Sequence, residues 1–138
     1  MENITKITDA CLPNINDLEF KNIQSILGCL NAVSLNIDPK PHALPNKCHA
    51  NVERQVQWYG GEKVQGYYIA VSESTNKWTA IKHSVWKKDH ELIDVTPVQD
   101  ERTKNIFVWG SDQLHTSVYF DGVILHKDDT LVLEQVSA

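Results

Sequence analysis

The sequence has no long apolar run. Nowhere in its 138 residues is there a stretch approaching the ~20 consecutive apolar positions of a membrane-spanning helix. The opening residues, MENITKITDACLPN, lack a basic segment followed by an apolar one, so they do not read as a secretory signal. Positive charge is scarce: Lys and Arg total 13 against 18 Asp and Glu, the net charge is −5, and Lys87-Lys88 is the one basic cluster. Nucleic acid normally meets a basic footprint and an anionic membrane a polybasic one, so neither partner is expected. Cysteine is sparse and odd in number. Cys11, Cys29 and Cys48 show no CxxC spacing, which argues against a disulfide framework and a four-cysteine zinc site. Free thiols in a reducing, cytoplasmic setting follow as the expectation. Internal repeats and low-complexity segments are absent.

What is present suits one domain. Hydrophobic residues make up 41% and charged residues 22%, a globular balance rather than a disordered one. The chain reads in three parts: an N-terminal helix and proline-rich loop (1–45), a core (46–110) and C-terminal strands (111–138). After Asn16 or Asp17 as cap, Phe20, Ile23, Ile26, Leu27, Leu30 and Val33 recur at helical spacing, predicting an amphipathic helix of about four turns with Cys29 in the core. NIDPKPHALP, with three prolines over 36–45, is a stiffened loop. A second helix is expected from Asn46 as cap to Gly60-Gly61 as stop, with Cys48, Val52, Val56 and Tyr59 on its buried face. The period then changes to two. VQGYYIAVSE, NKWTAIKHSVWKK, ELIDVTP and NIFVW read as strands, and SVYFDGVILHKDDTLVLEQV adds two or three more around turns at FDG and HKDDT. Two helices followed by a run of strands predict an α+β fold, the helices packed on a mainly antiparallel sheet. Its strand-rich tail offers an edge for a protein partner.

Three residues in the core carry the chemistry. Cys48 falls in the first turn of the second helix, where unpaired N–H groups and the positive end of the dipole favour thiolate. The same N–H groups suit an oxyanion on a substrate held against the sulfur. His83 shares a strand face with Ile81 and Val85, so it is either a satisfied core histidine or a base. A two-residue loop at Lys88-Asp89 sets Lys87 against His90, Trp86 against Glu91, Val85 against Leu92 and His83 against Asp94. Opposed side chains share a face with Cβ atoms about 4.5–5.5 Å apart. Asp94 would then hold one imidazole nitrogen and leave the other free, the arrangement of base and orienter in a triad. The bland alternative is a structural His–Asp bond tying the hairpin together.

A Cys at a helix start, then a strand His, then an Asp on the next strand resembles the transglutaminase-like and papain-like cysteine superfamily. HSVW and DVTP resemble the HAW and DPT segments of transglutaminase-like domains, and CHANV, GYYIAV, ELIDVTP and NIFVW resemble blocks of a group of small bacterial and phage proteins. The resemblance covers roughly residues 45–110. It implies a papain-like core and a cysteine hydrolase or acyltransferase acting on a protein, peptide or amide substrate, with Cys48 as nucleophile, His83 as base and Asp94 as orienter. The Gln that papain-like enzymes place just before the cysteine is missing from His42–Lys47. Asn46 is the candidate oxyanion donor there, although its role as a cap competes. Asn51, three residues after Cys48, either lines the site or caps a backbone group; Trp86 and Trp78 wall a cleft or belong to the core.

No cofactor is expected. Cys48, His49 and His83 make a poor zinc set, because adjacent helical residues point about 100° apart and His42, His90, His115 and His126 are scattered. Asp128-Asp129 reads as a solvated turn. The alternative to an enzyme is a non-catalytic binding or inhibitory module of phage or bacterial origin that retains the fold.

Overall fold

The computed structural model describes residues 10–72, 77–111, 117–121 and 124–127. Residues 1–9, His115, Asp128-Asp129 and the segment LVLEQV lie outside them, as do parts of the FDG and HKDDT turns. The fold is α+β. Its elements are β1 (Ala10–Cys11), α1 (Leu18–Leu27), β2 (Asn31–Asn36), α2 (Cys48–Tyr59), β3 (Glu62–Ser72), β4 (Lys77–Lys88), β5 (Glu91–Ile93), β6 (Lys104–Trp109), β7 (Ser117–Asp121) and β8 (Ile124–Lys127). One sheet runs in the order β2-β6-β3-β4-β7-β8, with β1 added to β3 and β5 to β4. Every strand pairing in it is antiparallel.

The first helix is shorter than its periodicity predicts. It stops at Gly28, which adopts φ 74 and whose N–H, with that of Cys29, closes the end on Ser25 and Gln24. A left-handed C-cap suits glycine because there is no Cβ to clash. Leu30 is consequently exposed and Val33 belongs to β2, a strand the helical pattern concealed. Asp17 is the N-cap position, although its side chain makes no capping bond.

Alternation along the strands sorts the core into two faces. On one, Phe20, Ile23 and Leu27 of α1 pack against Tyr67, Ile69, Trp78, Ala80, Ile106 and Val108. Val52 of α2 packs with Trp86 and Val95 on the same side, so both helices cover this face. Leu35, Val85 and Phe107 cluster on the other face, which also carries His83. Gly66 makes that face possible. It lies opposite His83 in β4 and Trp109 in β6, and a Cβ there would come within 2.0 Å of the Val108 carbonyl oxygen and 3.0 Å of the Phe107 ring.

The β4–β5 hairpin corrects the expected register. Asp89 and His90 form its loop, with φ 51 and 70, and Lys88 faces Glu91, Lys87 faces Leu92 and Trp86 faces Ile93. A tight two-residue hairpin of this kind needs positive φ at both central positions, which Asp tolerates better than Lys. The shift is two residues, so each side chain keeps its face. Asp94 becomes a diagonal neighbour of His83 rather than a directly opposed one. The predicted strand ELIDVTP also ends early. After Ile93 the chain leaves β4 and runs beside the proline-rich loop: Asp94 forms a parallel bridge with Ile37, and Asp38 and Lys40 donate to the carbonyls of Asp94 and Val95.

Candidate active site

The N-terminus of α2 reaches the sheet at a gap. β3 occupies one edge of β4 over residues 77–87. On the other edge β7 pairs with 77–81 and β5 with 86–88, which leaves residues 82–85 without a strand neighbour among the described residues. Cys48, the first residue of α2, sits there, half-buried. The Ser84 backbone and the His83 side chain lie close enough to its sulfur to favour the thiolate.

His83 and Asp94 form a buried pair. Nε2 of His83 donates to both carboxylate oxygens, at 2.9 and 3.0 Å, with His83 6% and Asp94 0% exposed. Nδ1 is therefore the nitrogen left for the sulfur, which is the orientation a base requires. Burial alone would lower the His83 pKa, but the bonds and charges of Asp94 and Cys48 outweigh it and raise it to about 9. Burial pushes the Cys48 thiol up; His83 and the Ser84 N–H more than reverse this, against a small opposing push from Asp94, and its pKa falls below the ordinary thiol value. Both shifts favour the thiolate–imidazolium form.

Further residues hold this pair in place. Asn105 on β6 donates to the second Asp94 oxygen at 2.8 Å, and its own carbonyl oxygen accepts from Arg102 at 2.9 Å. Arg102 is tied to Asp100 and lies 5.0 Å from the centre of the Tyr68 ring. Tyr68 meets the His83 ring edge-on at 5.3 Å, with Phe107 at 6.2 Å. Burial pushes the Tyr68 phenol up against the pull of Arg102. Beside the cysteine, the Ser84 hydroxyl and His49 Nδ1 share a hydrogen bond, which pins the first turn of α2 to β4. Burial and the nearby cations Lys82 and Lys63 lower the pKa of His49, so it is neutral near pH 7.

The structure brings Cys48, His83 and Asp94 together; the other sequence candidates lie apart from them. Asn46 does not cap α2. Lys47 is the cap position, no side chain caps this end, and Asn46 (φ 62) contacts Gln99 at 3.5 Å. The amide groups of the first turn are thus free of side-chain caps. Asn51 is a brace rather than a lining residue: its side chain exchanges bonds with both backbone groups of Leu44 and donates to Thr96 Oγ1 at 3.0 Å. Trp86 donates to the Gly60 carbonyl and walls a cavity at the far end of α2, while Trp78 lies in the core. Tyr59, expected on the buried face of α2, is 59% exposed beside Trp86. Asn105 and the His49–Ser84 pair were not foreseen. The only sequence signal for Asn105 is a polar residue at the head of the apolar run IFVW.

No group of three or more His, Cys, Asp or Glu side chains among the described residues is arranged to hold a metal ion. No helix there is long and apolar enough to cross a membrane. Comparison with known proteins adds no relative: no family model, curated protein or solved structure matches the chain.

Proposed function

We propose that this chain is a cysteine-nucleophile enzyme acting on an amide or acyl substrate through Cys48, His83 and Asp94. The observation that carries the reading is the buried, doubly hydrogen-bonded His83–Asp94 pair with the Cys48 thiol close enough for His83 to favour its thiolate. In this reading the Cys48 thiolate attacks the carbonyl carbon, a C–S bond forms, and the carbonyl π electrons move to oxygen. The amides at the start of α2 carry no side-chain cap and stand at the same helix end as Cys48, which suits an oxyanion there. When the C–N bond breaks, the leaving amine takes the proton of the His83 imidazolium. His83 then deprotonates water or an acceptor amine, which attacks the thioester and releases the thiolate.

The helix-borne Cys, packed on an antiparallel sheet that supplies His and is followed after β5 by the Asp, is the arrangement on which we base a papain-like or transglutaminase-like core. A thiol nucleophile works in a reducing compartment, so we assign the protein to the cytoplasm. Incubation with p-nitrophenyl acetate, followed by mass spectrometry of the intact chain, tests the reaction. An acetyl thioester on Cys48, lost in Cys48→Ala and much slower to form in His83→Ala, is the expected result. Acetylation that is unchanged in Cys48→Ala would overturn the assignment and favour the binding-module alternative.

A further inference from the structure

The opposite end of α2 carries a second site built from different residues. Gln55 lies seven positions beyond Cys48, about 10 Å along the helix axis. Here a cavity of about 380 Å³ opens between the helix, Trp86 and the proline-rich loop. Small-molecule sites commonly enclose about 300–1,000 Å³. Val52 and Val95, both fully buried, fill the space between α2 and the sheet on the Cys48 side of Trp86.

Its walls are aromatic. His42 meets Trp58 at 5.0 Å and 78°, Trp58 meets Tyr59 at 6.4 Å and 89°, and Tyr59 meets Trp86 at 6.4 Å. Trp58 is 55% exposed and Tyr59 59%. Adjacent exposed aromatics on the rim of a cavity are a ligand-site feature rather than a folding one. One polar pair sits among them: His42 Nε2 donates to the Oε1 of the buried Gln55 at 2.7 Å. His42 Nδ1 is buried without a hydrogen-bond partner among the described residues, a costly state in a wall otherwise satisfied.

Charge decides the ligand class. An aromatic box can hold a cation by its ring faces. Here the Arg54 guanidinium already lies 5.8 Å from the centre of the Trp58 ring. Lys88 Nζ donates to the Tyr59 carbonyl at 2.7 Å, and Lys40, bonded to Asp38, lines the cavity itself. Among the described residues no acidic side chain lines it, and the Asp38 carboxylate enters only as the partner of Lys40. A second cation would meet this positive rim, whereas an anion is attracted to it.

We propose that this cavity binds a small aromatic anion, such as an arylacetate, the ring between Trp58 and Trp86 and the charge toward Lys40. The site is independent of the Cys48 reading and survives its failure. Titration of the full chain with phenylacetate, phenethylamine and acetate, followed by tryptophan fluorescence and by calorimetry, tests it. Phenylacetate is expected to bind saturably, at about millimolar or tighter, and phenethylamine and acetate at least about tenfold more weakly. Trp58→Ala abolishes the phenylacetate response and Lys40→Gln weakens it several-fold; both residues sit at the surface of the cavity, and unfolding midpoints confirm that the variants fold. Cys48→Ala retains binding. No saturation by about 20 mM phenylacetate, equal or tighter binding of phenethylamine, or an unchanged affinity in Trp58→Ala would each overturn the proposal.

Discussion

Removing the charge of Asp94 while keeping its shape is the most informative perturbation of the buried pair. Asp94 is fully buried and accepts from His83, from Asn105 and, at 3.5 Å, from the Thr96 N–H. Asp94→Asn replaces one acceptor oxygen with an NH₂ group, so either His83 or Asn105 faces a donor instead of an acceptor. His83 binds its proton more tightly in the folded chain (about 9) than at its ordinary value of 6.5. The stabilisation from this shift is fully present below pH 6.5 and is lost as the pH rises through 9. Its full value is ~3 kcal/mol, most of it remains at pH 7, and little is left at pH 10. Asp94 shares it with Cys48, so Asp94→Asn should cost about 2 kcal/mol at pH 7, or roughly 6–10 °C in unfolding midpoint for a chain of this length. Thermal unfolding of both proteins at pH 6, 7, 9 and 10 reads this directly. The gap between them should narrow as the pH rises through 9. A gap that is absent at pH 7, or unchanged at pH 10, would refute the argument that the imidazolium is held by Asp94.

Other consequences follow from single contacts. Gly66→Ala puts a methyl group 2.0 Å from a backbone oxygen of the neighbouring strand, so it should lower stability by about 3 kcal/mol or more and displace His83, seen by urea unfolding and by chemical shifts of the imidazole. Asn51→Ala strands the buried Thr96 hydroxyl and removes two part-buried bonds to the backbone of Leu44, and should cost ~2 kcal/mol in urea unfolding. Ser84→Ala keeps the backbone bond to Cys48 but frees His49, so alkylation of Cys48 should slow several-fold while the chain loses only ~1 kcal/mol.

The strands were legible because alternation survives in β3, β4 and β6, and α2 because a glycine pair stops it. His83 and Asp94 share a face for a reason that tolerates error: moving the loop by one residue shifts the register by two, and an even shift preserves parity. The length of α1 was misread because Leu30 and Val33 continue its apolar spacing by chance, whereas Gly28 ends it through local backbone geometry. Asn105 and Ser84 were illegible for a different reason. Their roles depend on which strands become neighbours and on where β5 and β7 leave the edge of β4 open, and pairings between distant segments leave no local signature. Asn46 has the residue type of a helix cap, yet Lys47 holds that position, and the amides beside Cys48 carry no side-chain cap.

Cys48 reactivity tests the central claim most directly. The rate of iodoacetamide alkylation at Cys48 is measured against pH in wild type and in His83→Ala, with the other cysteines resolved by peptide mapping. His83 lowers the thiol pKa, so the wild-type midpoint should fall below the ordinary one of about 8.5. In His83→Ala, burial is opposed only by the Ser84 N–H, and the midpoint should rise to about the ordinary value or above. A wild-type midpoint at or above 8.5 that does not move in His83→Ala would contradict a thiolate–imidazolium pair at this site.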